Sequence, residues 1–333
     1  MAESKGPIGW YVHLPFCRTK CGYCDFYSLP TLPHLIDDLI GAITREIELR
    51  DPLRAVETIF VGGGTPTELP GEALQHLLGY ISARTGPVGE WTVEANPSST
   101  TDLKLAVLQT AGVNRISFGA QSFHEDDLRV LERIHDPVHI GESVRAARSA
   151  GFENVNLDLI YGIPGQSVAR WRETLARAID LGAEHLSCYA LMYEDGTALT
   201  RLKRDGKVAP CDEDIEAEMF DVTIETLRDA DYQQYEISNF ARDGRECRAN
   251  IIYWENREYL GVGPSAVSVP QWRTAKEHSR RSQVLRMDGG LARVDRRGAR
   301  NAFRTRAGGG DGGADAATDA RNRFEGFRAA NGV

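Results

Sequence analysis

No apolar run in this chain approaches the length of a membrane span. Nor is there a basic surplus to coat a nucleic acid: 39 Lys and Arg stand against 48 Asp and Glu, a formal net charge of −9. The opening residues, Met-Ala-Glu-Ser-Lys-Gly, lack the apolar core of a secretion leader. Cysteine is scarce, six in 333 residues, and a chain this long with no such leader is not a disulfide scaffold. The glycine run at 62–64 is not followed by Gly-Lys-Ser/Thr, which excludes a Walker A loop. These absences leave a soluble cytoplasmic protein as the expectation, with no nucleic-acid partner and no transmembrane segment.

Half of the few cysteines are packed into one short run, Cys17-Arg-Thr-Lys-Cys21-Gly-Tyr-Cys24. Three thiolates this close can hold three irons of a [4Fe–4S] cluster and leave the fourth iron without a protein ligand. An open metal position is where a small molecule binds and reacts. In radical chemistry that molecule is S-adenosylmethionine (SAM), cleaved reductively by one electron to a 5′-deoxyadenosyl radical. The aromatic Tyr23, just before the last thiol, suits a place beside the adenine. The competing reading is a structural Cys3His zinc site completed by His13 or His34, although zinc ligands usually come as two separated pairs. Cys188, Cys211 and Cys247 are scattered and read as small buried hydrophobes.

The chain from 9 to 190 alternates short β-branched or aromatic runs with amphipathic stretches. Strands are expected at 9–13, 58–61, 91–94, 115–118, 154–159 and 185–190. Helices are expected at 35–50, 103–111, 140–150 and 171–181, the last three each followed by glycine. Six strands joined through helices argue for an α/β fold, a parallel sheet curled into a partial, open (β/α)6 barrel. The site then belongs at the C-terminal ends of the strands. Residues 1–205 read as this barrel, 206–270 as a smaller α/β extension, and the Arg/Gly/Ala-rich residues 271–333 as a tail unable to build a core.

Candidate site residues fall at those strand ends: Gly62-Gly63-Gly64-Thr65-Pro66 after the second, Glu94 at the third, Gln121 after the fourth and Asp158 near the end of the fifth. Each has a plainer alternative. The glycines could form only a tight turn, and Glu94, Gln121, Arg133 and Asp158 could be ordinary surface residues.

Tyr11-Val12-His13-Leu14-Pro15-Phe16-Cys17, Tyr23-Cys24-Asp25-Phe26, Val61 to Thr67, and Asp158-Leu159-Ile160-Tyr161-Gly162-Ile163-Pro164-Gly165 together resemble the coproporphyrinogen oxidase-like branch of the radical SAM proteins. The resemblance implies a radical SAM barrel, a [4Fe–4S] cluster on Cys17, Cys21 and Cys24, and a SAM shell of Tyr11, Tyr23, Gly63, Gly64, Thr65, Glu94, Gln121, Arg133 and Asp158. Two sub-families fit: an oxygen-independent coproporphyrinogen III dehydrogenase, which oxidatively decarboxylates porphyrinogen propionates, and a HemW-type heme chaperone. The dehydrogenase carries a further cysteine two positions beyond the third ligand, where this chain has Phe26. That favours the chaperone, whose implied partners are heme or a porphyrinogen, a heme-acceptor protein and an electron donor such as flavodoxin or ferredoxin.

The HemW type also carries His-Asn-x-x-Tyr-Trp, associated with heme. Here the stretch reads Ala249-Asn250-Ile251-Ile252-Tyr253-Trp254. A second family histidine is replaced by Val267. Neither alanine nor valine can ligate iron, so the resemblance implies heme without supplying its usual ligand.

Overall fold

The computed structural model describes residues 6–269. The segment 271–333, expected as a tail, lies outside the described residues, as do 1–5 and 270. A nine-stranded sheet forms the centre, in the order β11-β1-β4-β5-β6-β7-β8-β10-β9. The strands are β1 (Ile8–Leu14), β4 (Val56–Gly63), β5 (Glu90–Ala95), β6 (Arg115–Gln121), β7 (Val155–Tyr161), β8 (His185–Ala190), β9 (Gln233–Gln234), β10 (Asn239–Ala241) and β11 (Tyr259–Val262). A short parallel pair, β2 (Phe16–Cys17) and β3 (Leu29–Pro30), brackets the cysteine loop. From β11 through β8 every pairing is parallel, while β10 and β9 add an antiparallel hairpin to the β8 edge.

All six expected strands are present, and five of them run on past the end their spacing suggested, β6 and β7 with the most consequence for the site. β6 extends to Gln121 through a bulge between Gly119 and Gln121. β7 extends to Tyr161, so Asp158 sits in mid-strand, deeper than an end position.

The strands alternate strictly, as a sheet with one face on helices and one on a lumen must. Trp10, Val12, Ile59, Val61, Trp91, Val93, Ile116, Phe118, Leu157 and Leu186 belong to one buried core. Their neighbours Tyr11, Phe60, Thr92, Glu94, Ser117, Asp158 and Ser187 are mostly polar and take the other face.

The crossover helices are α1 (Pro33–Arg50), α2 (Gly71–Thr85), α3 (Asp102–Ala111), α4 (Glu125–Val130), α5 (Pro137–Ser149) and α6 (Val168–Asp180). Then come α7 (Ala198–Arg204), α8 (Glu213–Asp229) and α9 (Arg248–Trp254). Helix α1 buries Ile36, Ile40, Ile43 and Ile47, one stripe at helical spacing. Its ends and those of its neighbours follow local chemistry. Thr101 caps α3 by accepting from the Lys104 N–H, and Gly112 ends it in the left-handed region.

The boundary expected at 205/206 falls between α7 and α8. Both sides share one core, for Met219, Val222 and Leu227 of α8 lie in it. The buried Trp171 of α6 donates from Nε1 to Thr223 Oγ1 at 2.8 Å and so ties the two helices together.

Candidate functional site

The cysteine loop crosses the C-terminal end of the sheet. Cys17 ends β2, and the Cys24 N–H donates to the Cys21 carbonyl at 3.2 Å, a turn that brings the last two thiols round. The loop is held from below by β4. Gly64 N and Thr65 N donate to the Leu14 and Phe16 carbonyls, both at 2.7 Å. A Cβ on Gly64 would lie 2.6 Å from those same oxygens, so only glycine allows this approach. On the other side, α7 docks through the Leu199 N–H on the Gly22 carbonyl at 2.8 Å.

Among the described residues, no three His, Cys, Asp or Glu side chains converge closely enough for one metal ion. His13 is committed elsewhere: its Nδ1 meets the Tyr11 hydroxyl at 3.0 Å and its Nε2 the Tyr27 carbonyl at 2.8 Å. His34 is exposed on α1. The Cys3His reading therefore finds no fourth ligand in this geometry. The three thiols do sense one another: burial pushes Cys24 up to about 11, and Cys21 and Cys17 add to the rise. A soft set of three thiols spread over one loop fits an iron–sulfur cluster better than a lone ion. Cys17 Sγ also lies 3.7 Å from Thr65 Oγ1.

Below the loop the lumen holds the other candidates. Glu94 accepts from Gly63 N at 2.9 Å, and a Cβ on Gly62 would strike its carboxylate. Burial, with the nearby Asp158, raises its carboxyl to about 8. Asp158 is raised too, by burial, against hydrogen bonds from Ser117, Ser187 and Asn156. Tyr11 sits close enough to Glu94 for that charge to add to the desolvation of its phenol. Gln121 takes φ +66°, a left-handed conformation rare for a side chain, at the bulge. Arg133 lies on no strand. It reaches from the loop after α4 to the Cys21 sulfur and the Gly119 carbonyl. Tyr23 packs against the small apolar cluster of Leu131, Ile160, Ile163, Leu191 and Leu199, with Arg133 and Asp158 in electrostatic range. The structure thus gathers these candidates around one lumen.

A second polar constellation lies at the opposite end, where the strands begin, and sequence reading missed it. The Tyr235 hydroxyl meets His185 Nε2 at 2.8 Å, Asn250 Nδ2 at 3.2 Å and the Cys247 N–H at 3.3 Å. His185 Nδ1 meets Asn156 Oδ1 at 2.6 Å, and Asn156 Nδ2 donates to Asp158 at 2.9 Å. Burial holds His185 neutral. Glu90 accepts from the Arg248 and Ala249 N–H groups and so caps α9. The signal was there: Glu90, Thr92 and Glu94, or Asn156 and Asp158, recur at every second position between apolar residues.

This floor also fixes the surroundings of the altered motif. Ala249 is buried with Tyr235, Ala241 and Cys247. Cys247 is buried as well and donates to Glu90 at 3.5 Å, its thiol pushed up to about 12 by burial. Cys188 lies in the main core, and Cys211 packs against it partly buried. Tyr253, in contrast, is 36% exposed, stacks edge-on with Tyr259 at 4.6 Å, and feels the charges of Tyr11 and Glu94.

The family model of the radical SAM superfamily matches residues 11–178, which span the cysteine loop and the strands from β1 to β7. The protein named heme chaperone HemW from Bacillus subtilis (strain 168) is 38% identical over 264 residues, 77% of this chain and 69% of that one. The protein of the same name from Mycobacterium tuberculosis (strain CDC 1551 / Oshkosh) is 38% identical over 290 residues, 84% of this chain and 74% of that one. Among solved structures, coproporphyrinogen III oxidase (HemN) from Escherichia coli, described as a radical SAM enzyme, superposes with a TM-score of 0.70 at 28% identity, over 80% of this chain and 65% of that one. The superfamily match implies a [4Fe–4S] cluster and SAM, and the three-thiol loop fits them. No described helix is long and apolar enough to cross a membrane. The chain belongs to the radical SAM superfamily and, within it, to the HemW family.

Proposed function

We propose that this protein is a heme chaperone: it binds a [4Fe–4S] cluster, SAM and heme, and passes the heme to an acceptor protein. Cys17, Cys21 and Cys24 would hold the cluster. Tyr11, Tyr23, Gly63, Gly64, Thr65, Glu94, Gln121, Arg133 and Asp158 form the proposed shell for SAM. The chemistry the cluster supplies when bound is one-electron reduction of the SAM sulfonium, which calls for a donor such as flavodoxin or ferredoxin. In this reading the protein works in the cytoplasm, residues 1–205 carry the cofactors, and 206–270 extend the barrel toward heme, with 271–333 outside both roles. Heme iron finds no ligand at position 249 or 267, so its ligand lies elsewhere in the chain or is supplied by the acceptor.

The observation that carries the reading is the combination at the loop: three thiols over a polar lumen, followed by Phe26, 59% exposed, where the decarboxylating branch has a thiol. The 38% identity to proteins named heme chaperone supports it over most of the chain. The test is anaerobic reconstitution, then heme titration and transfer to a heme-free acceptor, in parallel with incubation with coproporphyrinogen III, SAM and reductant. Heme uptake and transfer without vinyl product is the expected result. Vinyl product with stoichiometric 5′-deoxyadenosine would replace the chaperone by the decarboxylase.

A further inference from the structure

The guanidinium of Arg133 is a partly buried cation beside the cysteine loop. Its Nη1 donates to Cys21 Sγ at 3.4 Å and its Nη2 to the Gly119 carbonyl at 2.7 Å. Its Nε is buried with no partner. Both ends of this bridge rest on unusual backbone. Glu132, the residue before it, has φ +54°, and Gln121 has φ +66° at the β6 bulge that turns the Gly119 carbonyl toward the arginine. A Cβ at position 119 would lie 3.2 Å from Nη2 and 2.9 Å from the Gln121 amide nitrogen, so a side chain there would crowd both groups. Such conformations are costly and persist where the surroundings over-determine them.

Other cations near the loop face outward. Arg18 pairs with Glu68 with its own side chain 55% exposed, and Lys20 donates to the Phe26 carbonyl on the surface. Water and salt screen both. His135, two residues beyond Arg133, bonds the Ala120 carbonyl and is pushed down to about 3, first by burial and then by Arg133 itself, so it adds no charge.

Hydrogen bonds to ligand sulfur and local charge set the reduction potential of an iron–sulfur cluster. We propose that Arg133, besides its place in the SAM shell, is a positioning residue for the cluster: its hydrogen bond to the Cys21 sulfur raises the cluster's reduction potential and makes the electron easier to accept. This rests on the cluster reading above, and the experiment separates the two. The full chain is reconstituted anaerobically without SAM, its iron counted, and its potential measured by redox titration followed by electron paramagnetic resonance.

Arg133→Gln is expected to keep the iron but lower the reduced-to-oxidised ratio at a fixed potential by tenfold or more, a shift of about 59 mV for one electron. Arg133→Lys, which keeps the charge but cannot bridge both acceptors, is expected to fall between. Gly119→Ala keeps the arginine but crowds its guanidinium, and is expected to lower the potential as well. It serves as the second variant if Arg133→Gln does not fold. An unchanged potential in a folded, iron-loaded Arg133→Gln or Gly119→Ala overturns the inference, and weakened SAM binding alone would then leave Arg133 to the SAM shell only. A native chain that takes up no iron overturns the cluster reading instead.

Discussion

The two ends of the barrel are built from similar polar residues but connected in opposite ways. At the floor, side chain bonds side chain: Asn156, His185, Tyr235 and Asn250 form one chain from the strands to α9, with Asp158 in mid-strand above it. At the rim, polar groups lean on backbone. Glu94 accepts from Gly63 N, His13 meets the Tyr27 carbonyl, and Arg133 donates to the Gly119 carbonyl. Satisfied side-chain networks fix one arrangement. The Glu94 carboxylate, held by a backbone N–H, keeps lone pairs for something else. The floor is therefore read as the part that holds shape, and the rim as the part that takes cofactors.

Substitutions can break this comparison. The largest effect belongs to the rim thiols. Cys17→Ser, Cys21→Ser and Cys24→Ser should each abolish the iron absorbance of the reconstituted protein, while Cys188→Ala, in the core, should keep it. An iron-loaded triple-site variant would refute the assignment. At the floor, Tyr235→Phe leaves His185, Asn250 and the Cys247 N–H without their shared hydroxyl. A loss of about 1–3 kcal/mol in chemical denaturation is expected, with iron content unchanged. Loss of the cluster with undiminished stability would reverse the roles of the two ends.

A finer test uses pH. Folded Glu94 keeps its proton up to about pH 8, whereas the unfolded chain releases it near the ordinary value of 4.5. Between those limits the folded state binds more protons, so stability falls as pH rises through this window and levels off above it. In thermal melts of the cofactor-free chain, Glu94→Gln should flatten this slope relative to the native chain. Parallel slopes would show that Glu94 is ionised in the fold. The smallest effect is expected from removing 271–333, since every residue assigned to the site precedes it. Iron loading and SAM affinity should stay as they are, and a loss of either would bring that segment into the site.

Much of the architecture was legible. The six parallel strands and the helices at 35–50 and 171–181 follow from apolar spacing alone, because each buries a continuous stripe. What escaped included two long helices, α2 and α8, besides pieces that are short or distant. β9 and β10 have two and three residues, too few for a period. β11 pairs with β1 across nearly the whole chain, a register no local pattern encodes. The three thiols were plain from spacing. Arg133 entered only through family resemblance, because a bend at Glu132 and a bulge at Gln121, not a strand end, carry it to Cys21. Tyr235 reaches His185 only because the β9–β10 hairpin folds back on β8.

Among the described residues the sheet does not close, and it has two short margins. One is β9, only two residues long. The other is β11, four residues long, whose Tyr259 also makes an isolated antiparallel bridge to Val269. Long bare margins invite other chains to add themselves as extra strands. These offer few open backbone groups. An unclosed barrel can thus keep its margins without turning itself into a template for aggregation.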